Sequence, residues 1–456
     1  MASKTKRSSK LQAQAIKKID SYVYAIPLVA LFIKVIVIAN TPGHGWLGAD
    51  GESYLSGVDG LIAQGYFSDK EILSYWPAGY PILIWLLTKV SLVNIGWLIS
   101  LTQSLFYAYS SFYFTKHLSQ TKLRNFAIPV AIVIAINPTL SLSSLSVGYE
   151  SPIASCMLMT IGLILEFKLS KTGNLDLRLI FSVGFFAALA AFMQPRWLLT
   201  SSVIAIVWAL TTTTKKQQSL ILTVVVGVMA IAPLALIQRN AVAIHKNIIS
   251  TNLGITMSIG AGPDTSGGYN HTGPNVPCEA KTANGKVTDS DLTKCVLNWY
   301  LKNPVETLRL SWNKSIFFWS PWVGPVANGT MARNPWLKID PIVKIGSQNK
   351  TANSLINGIA GKVTSAIWIS CGILLLMTGF IWLFSRGGLF KDLGLLAMAP
   401  IAVSFLISLG TIGDHRFRLP TMPLSLFLQV IGAIVLYHRL KTGSFSSTFE
   451  ASAQAR

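Results

Sequence analysis

Three short polar motifs, far apart in the chain, carry the residue types that acid–base and phosphate chemistry require. The first contains Asp50 and Glu52, the second contains Glu150, and the third contains Arg416 and Arg418. A carboxylate can take a proton from an acceptor hydroxyl or help to coordinate a metal ion. A guanidinium fork suits phosphate oxygens. These residues could act together only if the fold brings them to one place.

Each motif also has an ordinary structural interpretation. Asp50 precedes an apolar stripe with helical spacing that predicts a helix lying on the membrane surface, so it could simply cap that helix. Glu150 could be a solvated loop acid, and Arg416 and Arg418 could reach lipid headgroups. If Asp50 and Glu150 lie on one membrane face, they could share a divalent cation. The stripe consists of Tyr54, Val58, Leu61, Ile62 and Gly65.

The composition indicates that a membrane positions these motifs. The chain has 456 residues, of which 51% are hydrophobic and 12% charged, and its mean hydropathy is +0.50. Soluble domains carry about 25% charged residues. Repeated apolar runs of about 17–25 residues match the thickness of the hydrocarbon core. The sequence therefore predicts an all-α polytopic membrane protein.

The positive charge also fits a membrane protein. The net charge is +20, from 38 Lys and Arg against 18 Asp and Glu. Basic residues concentrate in short cytoplasmic loops and contact anionic headgroups. No aromatic–basic module interrupts the apolar runs, so we do not expect nucleic acid as a partner. Partners expected from this pattern are membrane lipids.

The charge distribution predicts about ten transmembrane helices with both termini in the cytoplasm. The basic residues before the first apolar run are Lys4, Lys6, Arg7, Lys10, Lys17 and Lys18. That run is longer than a signal-peptide core and lacks a small-residue cleavage site, so we expect an uncleaved first span. The predicted spans are 22–39, 94–113, 126–142, 152–167, 179–193, 197–210, 220–237, 363–384, 393–409 and 419–437. The apolar run at residues 80–92 is too short to cross the membrane. We therefore predict an interfacial or re-entrant segment there.

These spans divide the chain into five regions. Residues 1–20 form a basic cytoplasmic tail, 21–238 an N-terminal transmembrane module that includes the first external loop at 40–93, and 239–360 a large external loop of mixed structure. Residues 361–440 form the C-terminal transmembrane helices, and 441–456 a cytoplasmic tail. Cys278 and Cys295 lie in the large loop and would form a disulfide in an oxidising compartment. Cys156 and Cys371 lie within apolar runs.

Taken in order, the motifs resemble the bacterial GT-C glycosyltransferases of the protein O-mannosyltransferase and lipid-A aminoarabinose transferase kind. The resemblance runs through most of the chain. The matching segments are Gly48-Ala49-Asp50 with Tyr54, Tyr75-Trp76-Pro77-Ala78-Gly79-Tyr80-Pro81, Asn137-Pro138 with Glu150, Ser250-Thr251-Asn252-Leu253-Gly254 through Gly267-Gly268-Tyr269, and Arg416-Phe417-Arg418-Leu419-Pro420 with Pro423. Gly51 separates Asp50 from Glu52 where many relatives have adjacent acids, and Leu253 and Ala261 replace residues that are often Gly and Asn.

The resemblance implies inverting transfer of a sugar from a polyprenyl-phosphate donor to an acceptor on the extracytoplasmic face of the plasma (inner) membrane. The acceptor could be a glycan, a lipid or a protein. The resemblance implies catalytic roles for Asp50, Glu52 and Glu150, and a contact of Arg416 and Arg418 with the donor phosphate. Arg196, another external arginine, is a further candidate for the phosphate. Substrate and loop candidates are Tyr54, Asn252, Tyr269 and His415.

Two other functional classes remain open from the residues alone. A transporter or flippase would place ionisable groups within its spans, whereas here Glu166 is the main internal acid and the others gather at the external rim. A non-catalytic scaffold would use the tryptophan-rich external loop to bind a partner. The loop tryptophans are Trp299, Trp312, Trp319, Trp322 and Trp336.

Overall fold

A computed structural model describes residues 2–40, 46–47, 50–170, 176–268, 276, 288–320 and 359–442. The described chain is helical apart from one pair of two-residue strands. The helices are α1 Ala2–Ala39, α2 Gly51–Gln64, α3 Ile72–Tyr75, α4 Gly79–Thr88, α5 Ile95–Ser119, α6 Arg124–Ile136, α7 Pro138–Ser143, α8 Glu150–Leu169, α9 Leu177–Met193, α10 Trp197–Leu210, α11 Lys215–Ile244, α12 Leu253–Ile259, α13 Asp289–Lys302, α14 Pro304–Trp319, α15 Ile359–Arg386, α16 Gly388–Gly410 and α17 Met422–Thr442. The strands are β1 Trp46–Leu47 and β2 Ser146–Val147.

The protein is an all-α membrane protein. Nine predicted spans each overlap one of the helices α1, α5, α8 to α11 and α15 to α17, whereas the span at 126–142 falls on two helices, α6 and α7. Six of the described helices are long and apolar enough to cross a membrane: Ser21–Ala39, Glu150–Leu169, Lys215–Ile244, Lys362–Arg386, Gly388–Gly410 and His415–Thr442. α6, α9 and α10 are shorter apolar helices. The count of ten spans stays a prediction.

Helix α8 forms the centre of the bundle. In its spanning window 78% of the residues are buried, against 22% for α1 and 28% for α11. α5 and α9 pack on α8, and α1 packs on the other side of α5. A helix that is enclosed on all sides is fixed in position by packing, because shifting it would open cavities. The first residue of α8, Glu150, is therefore held by the best-packed part of the molecule.

Close glycine contacts bring the C-terminal helices together. Gly379 of α15 and Gly432 of α17 face each other, and a Cβ at either position would overlap a backbone carbonyl of the opposite helix. Small residues at a crossing allow two helices to approach more closely in a membrane than bulky residues would. The chain just before α17, which carries Arg416 and Arg418, is attached to this tightly crossed pair.

The described part of the segment predicted as the first external loop contains three short helices, α2 to α4. In α2 the predicted stripe residues Tyr54, Val58 and Leu61 are buried within the protein, whereas Ile62 is 44% exposed. They pack toward α3 and α4. α4 has 10 residues, about 15 Å of helix, which is too short to cross the hydrocarbon core. The described part of the large loop contains α12 to α14, and Gly268 forms an isolated parallel bridge with Gly413.

Candidate active site

Arg416, near the C-terminal end of the chain, joins two acids from its first third. Its Nη2 donates to Asp50 Oδ2 at 2.5 Å and to Glu150 Oε1 at 3.2 Å. The side chains are largely shielded, with exposed fractions of 15% for Arg416, 19% for Asp50 and 1% for Glu150. Charge-assisted hydrogen bonds are strengthened when water is excluded. We call these three residues the acid–arginine cluster.

The short β1–β2 pair explains how the two acids meet. The strands are parallel, and Leu47 pairs with Val147. Asp50 and Glu150 each follow these paired residues by the same number of positions, and each stands at the start of a helix, α2 or α8. Acidic side chains are favoured at helix N-termini by the helix dipole. Asp50 makes no side-chain capping bond, so its carboxylate contacts Arg416 instead of serving as a cap.

A tight turn holds Arg416 in place. Asp414 Oδ1 accepts a hydrogen bond from the backbone N–H of Arg416 at 2.9 Å and thereby starts the short 3-10 turn His415–Phe417. Burial raises the pKa of Asp414, while the Arg416 charge acts in the opposite direction. Asp414 is thus a third acid beside the cluster. It belongs to the same sequence motif as Arg416, but nothing in the motif indicated this role.

Aromatic side chains form one wall of the cluster. The ring of Tyr54 lies 5.1 Å from that of Tyr80 and 6.0 Å from that of Tyr149, between ring centres. Tyr80 accepts a hydrogen bond from the backbone N–H of Gly148 at 2.8 Å, which fixes the segment that leads into Glu150. The buried Tyr54 hydroxyl has no partner among the described residues. Burial, together with Tyr149, Asp50 and Glu150, raises the pKa of Tyr54 well above its usual value, so it stays a neutral donor.

Arg196 packs against aromatic side chains that adjoin the acid–arginine cluster. Its guanidinium lies 3.9 Å from the centre of the Phe417 ring, and Nη2 donates to the Tyr149 hydroxyl at 3.1 Å. A guanidinium stacked on an aromatic face is held by a cation–π interaction. Arg196 therefore packs against the residues beside Arg416 and Glu150, and it forms no ion pair among the described residues.

Arg418 lies in quite different surroundings from Arg416. Its Nη1 donates to the Trp319 carbonyl at 3.0 Å, and the guanidinium lies 5.6 Å from the Trp319 ring. The side chain borders a cavity of about 370 Å3 between α14, α15 and α17, with Ile367, Trp368 and Leu375 in its wall. A second cavity of about 400 Å3, almost wholly apolar, shares Trp319 and Ile369 with the first. Arg418 is thus a cation at the edge of an apolar recess.

Lys314 holds the loop that carries both arginines, a role that no sequence motif indicated. This fully buried side chain donates through Nζ to Tyr300 Oη at 2.8 Å, to Leu409 O at 2.9 Å and to Thr411 O at 2.6 Å. The carbonyls at the end of α16 would otherwise lack partners. Gly413 packs directly on Lys314, where a Cβ would clash with its backbone. Burial lowers the pKa of Lys314 to about 7.

The remaining predicted residues are distributed around the site. Glu52 is exposed on α2 and takes no part in the cluster. His415 is buried beside Arg416, and its Nδ1 has no partner among the described side chains. Asn252 stands at the start of α12 without capping it, because Asp289 Oδ1 accepts from the Gly254 N–H at 2.7 Å instead.

Two predictions fall on parts of the chain that the structure does not describe. Tyr269 lies outside the described residues, and so does Cys278. The pairing of Cys278 with Cys295 and the substrate role of Tyr269 therefore stay predictions. Cys156 and Cys371 are free thiols.

The contacts of Asp50 and Glu150 do not favour the divalent cation that the sequence left open as a possibility for these two acids. One oxygen of each carboxylate is bound to the same Arg416 nitrogen. Within the described ranges no group of three His, Cys, Asp or Glu side chains is placed to hold a metal ion. Mg2+ and Ca2+ require about six oxygen ligands or more. A cation would have to displace Arg416 from the cluster.

The sequence matches no protein-family model and no curated protein. Among solved structures, it is similar to the apo oligosaccharyltransferase of Archaeoglobus fulgidus, with a TM-score of 0.47 and 13% identity over 92% of this chain and 52% of that one. The same enzyme with Zn and sulfate gives 0.46 and 14% over 94% and 51%. The AglB complex with an inhibitory peptide and a dolichol-phosphate gives 0.43 and 12% over 94% and 52%. The chain spans about half the length of these neighbours, and at such TM-scores the likeness carries no functional argument.

Proposed function

We propose that this protein is an integral-membrane glycosyltransferase of the GT-C type, which moves a sugar from a polyprenyl-phosphate donor to an acceptor hydroxyl. The observation that carries the proposal is the contrast between two neighbouring arginines. Arg416 holds Asp50 and Glu150 together, and Arg418 borders an apolar cavity between helices of the bundle. A site that transfers a sugar from a lipid phosphate needs an acid as the base, a cation for the phosphate and an apolar recess for the lipid chain.

The site lies at the end of the bundle that we assign to the extracytoplasmic face. Glu150 starts α8 and Arg416 directly precedes α17, whereas Lys168, Arg439 and Lys441 stand in the last turns of those two helices. Basic residues mark the cytoplasmic side. This polarity supports a donor that is used on the outer face of the plasma membrane, with both termini inside.

Asp50 is the better candidate for the base. It keeps 19% of its side chain exposed, whereas Glu150 is closed off at 1%. In the proposed reaction Asp50 accepts the proton of the acceptor hydroxyl, whose oxygen attacks the anomeric carbon of the sugar. The bond from that carbon to the phosphate oxygen breaks, and the polyprenyl phosphate leaves with the bonding electron pair. Attack from the side opposite the phosphate inverts the anomeric configuration.

Arg418 is the better candidate for the phosphate ligand. Its described hydrogen bond goes to a backbone carbonyl and not to a carboxylate, and it adjoins the cavity that would take the first isoprene units. Guanidinium donors stabilise charge as it develops on a leaving phosphate. Arg416 then acts by positioning: it holds Asp50 and Glu150 at fixed distances, and Tyr54 supplies a neutral hydroxyl beside them. Which sugar is carried is left to experiment.

The direct test compares Asp50→Asn with Glu52→Gln, a matched pair of substitutions two residues apart. The purified protein is incubated with radiolabelled polyprenyl-phosphate sugars of several kinds, and release of label from the carrier is measured. Removing a general base costs about 100- to 10,000-fold, so Asp50→Asn should lose transfer, whereas Glu52→Gln at its exposed position should keep it within about twofold. Equal rates for wild type and Asp50→Asn would contradict the assignment. Absence of turnover and of binding for every donor would favour a transporter or scaffold.

A further inference from the structure

The side of α14 that faces away from the rest of the protein is apolar. Val305, Leu308 and Trp312 are between 70% and 76% exposed. Their spacing of three or four residues places them along one side of the helix. The buried residues of α14, among them Lys314, lie on the opposite side. A row of large exposed apolar side chains marks an interaction surface, and we call these three exposed residues the α14 stripe.

The apolar cavity of about 400 Å3 connects α14 with the membrane-spanning helices α15 and α16. Trp312 and Ile316 line it from α14, Ile373 lines it from α15 and Met398 lines it from α16. Ile373 and Met398 each lie near the middle of a helix that is long and apolar enough to cross the membrane. A residue in that position lies within the hydrocarbon core. The cavity therefore extends from α14 into that core.

The α14 stripe is continuous with a surface that faces lipid. Trp312 belongs both to the stripe and to the cavity wall, and no charged side chain lines the cavity. On its far side the cavity is bordered by Ile373 and Met377, which are partly exposed on α15. Exposed apolar side chains of a spanning helix face acyl chains. The stripe, the cavity and this side of α15 therefore form one apolar surface.

Charged residues lie along one edge of the stripe. Glu306 and Arg309, which follow Val305 and Leu308 in the sequence, form an exposed ion pair at 2.6 Å. Arg309 also donates to the carbonyl of Pro263 at 3.2 Å. α14 thus has one edge suited to water and headgroups and a neighbouring side suited to acyl chains. This is the pattern of a helix that is partly immersed in a membrane.

We propose that α14 is immersed in the leaflet on the active-site side of the membrane, where phospholipid acyl chains cover the α14 stripe and fill the cavity beside it. Acyl chains suit this surface because it is apolar, irregular and continuous with the lipid-facing side of α15. The charge pattern assigned α14 to an external loop, so the proposal moves this helix into the bilayer.

Immersion of α14 also bears on the position of the two arginines. Lys314 of α14 holds the loop that carries them, and α14 ends at Trp319, whose carbonyl accepts a hydrogen bond from Arg418. The leaflet therefore fixes the depth of that loop in the membrane. The immersion itself does not depend on the proposed transferase activity, and its test uses no activity measurement.

The test compares two colliding reagents at spin labels on adjacent residues of α14. Leu308→Cys and Arg309→Cys are made in a Cys156→Ala/Cys371→Ala background, because those two thiols are free. The full-length protein is labelled and reconstituted in phosphatidylcholine nanodiscs. Oxygen concentrates in hydrocarbon, whereas a polar nickel chelate is depleted from it by about tenfold or more. The nickel effect should therefore be about tenfold weaker at Leu308→Cys than at Arg309→Cys, and the oxygen effect should be stronger.

A second matched pair and the labelled background protein serve as controls. Val305→Cys and Glu306→Cys stand on the same surface of α14 and should differ in the same way. The background protein, treated with the label identically, gives the signal to subtract. Shielding of Leu308→Cys from both reagents would overturn the proposal, because another part of the protein would then cover the stripe. Nickel effects of equal size at Leu308→Cys and Arg309→Cys would also overturn it, because the stripe would then face water.

Discussion

Arg416 and Arg418 are two residues apart, but they stand in opposite surroundings. Arg416 is bound to two carboxylates and to the turn made by Asp414, whereas Arg418 has one described hydrogen bond, to the Trp319 carbonyl, and faces an apolar cavity. The first arginine is paired with two carboxylates, and the second contacts a single backbone carbonyl at the edge of a cavity. The comparison teaches that residues of one type in one motif can divide structural and binding tasks.

The largest effect is expected from Arg416→Ala. It would leave two shielded carboxylates without their cation, which typically costs about 3–5 kcal/mol of stability, and it would release Asp50 from its position. We expect transfer to fall about 1,000-fold or more and the melting temperature to drop. The matched control is Arg309→Ala, because its ion pair with Glu306 is exposed and such pairs contribute about 0–1 kcal/mol. If Arg416→Ala left the melting temperature and the transfer rate unchanged, Arg416 would not have the structural role that distinguishes it from Arg418.

Arg418→Gln should separate binding from stability. Loss of one charged donor to a leaving phosphate costs about 100-fold in kcat, while the single charge-assisted bond to the Trp319 carbonyl contributes about 1.5–3 kcal/mol. We expect a strong loss of transfer with a smaller drop in melting temperature than for Arg416→Ala, and partial recovery in Arg418→Lys. The measurement is steady-state kinetics beside thermal unfolding. If Arg418→Gln lowered the melting temperature as much as Arg416→Ala does, both arginines would have the same structural role.

The smallest loss of transfer is expected at Lys314, which holds the loop that carries both arginines. Its pKa of about 7 in the folded protein lies below the unfolded value of 10.5. Between these two pH values the unfolded state binds the extra proton, so stability should rise as pH increases from about 7 toward 10. Lys314→Met should lack this rise and should lower transfer only a few-fold. The measurement is denaturant unfolding between pH 6.5 and 9.5, and Tyr300, whose pKa is raised by burial, stays protonated there.

A matching pH profile in wild type and Lys314→Met would contradict this account of Lys314. Lys302→Met serves as the control, because Lys302 is exposed at the end of α13. That variant should keep the rise in stability with pH. If the profiles of wild type and Lys314→Met did match, the difference between Arg416 and Arg418 would depend on their own contacts alone, without a contribution from the loop that Lys314 holds.

The sequence predicted the helices well because their signals are local. Apolar runs located α1, α8, α11 and α15 to α17, and the run at 80–92, predicted as an interfacial or re-entrant segment because it is short, overlaps the ten-residue helix α4. The motifs also indicated Asp50, Glu150 and Arg416. The contact among them could not be derived, because it joins positions 266 and 366 residues apart.

Other features of the site had no sequence signal. Lys314 is one lysine in an amphipathic stretch, and its partners Leu409 and Thr411 contribute only backbone carbonyls, which any residue type could supply. The different surroundings of Arg416 and Arg418 depend on how the turn at Asp414 directs each side chain. Spacing in a motif identifies which residues are near each other, but it does not specify which of them remains available to a ligand.

The long sequence separation within the acid–arginine cluster has a consequence for biosynthesis. Glu150 and Arg416 are 266 residues apart, so at about 5–20 residues per second the ribosome needs roughly 13 to 53 s to supply the arginine after the acid. During that interval α8 is inserted with an acid that has no cation. A chain that stops before residue 416 keeps a buried acid without the cation that pairs with it in the full chain.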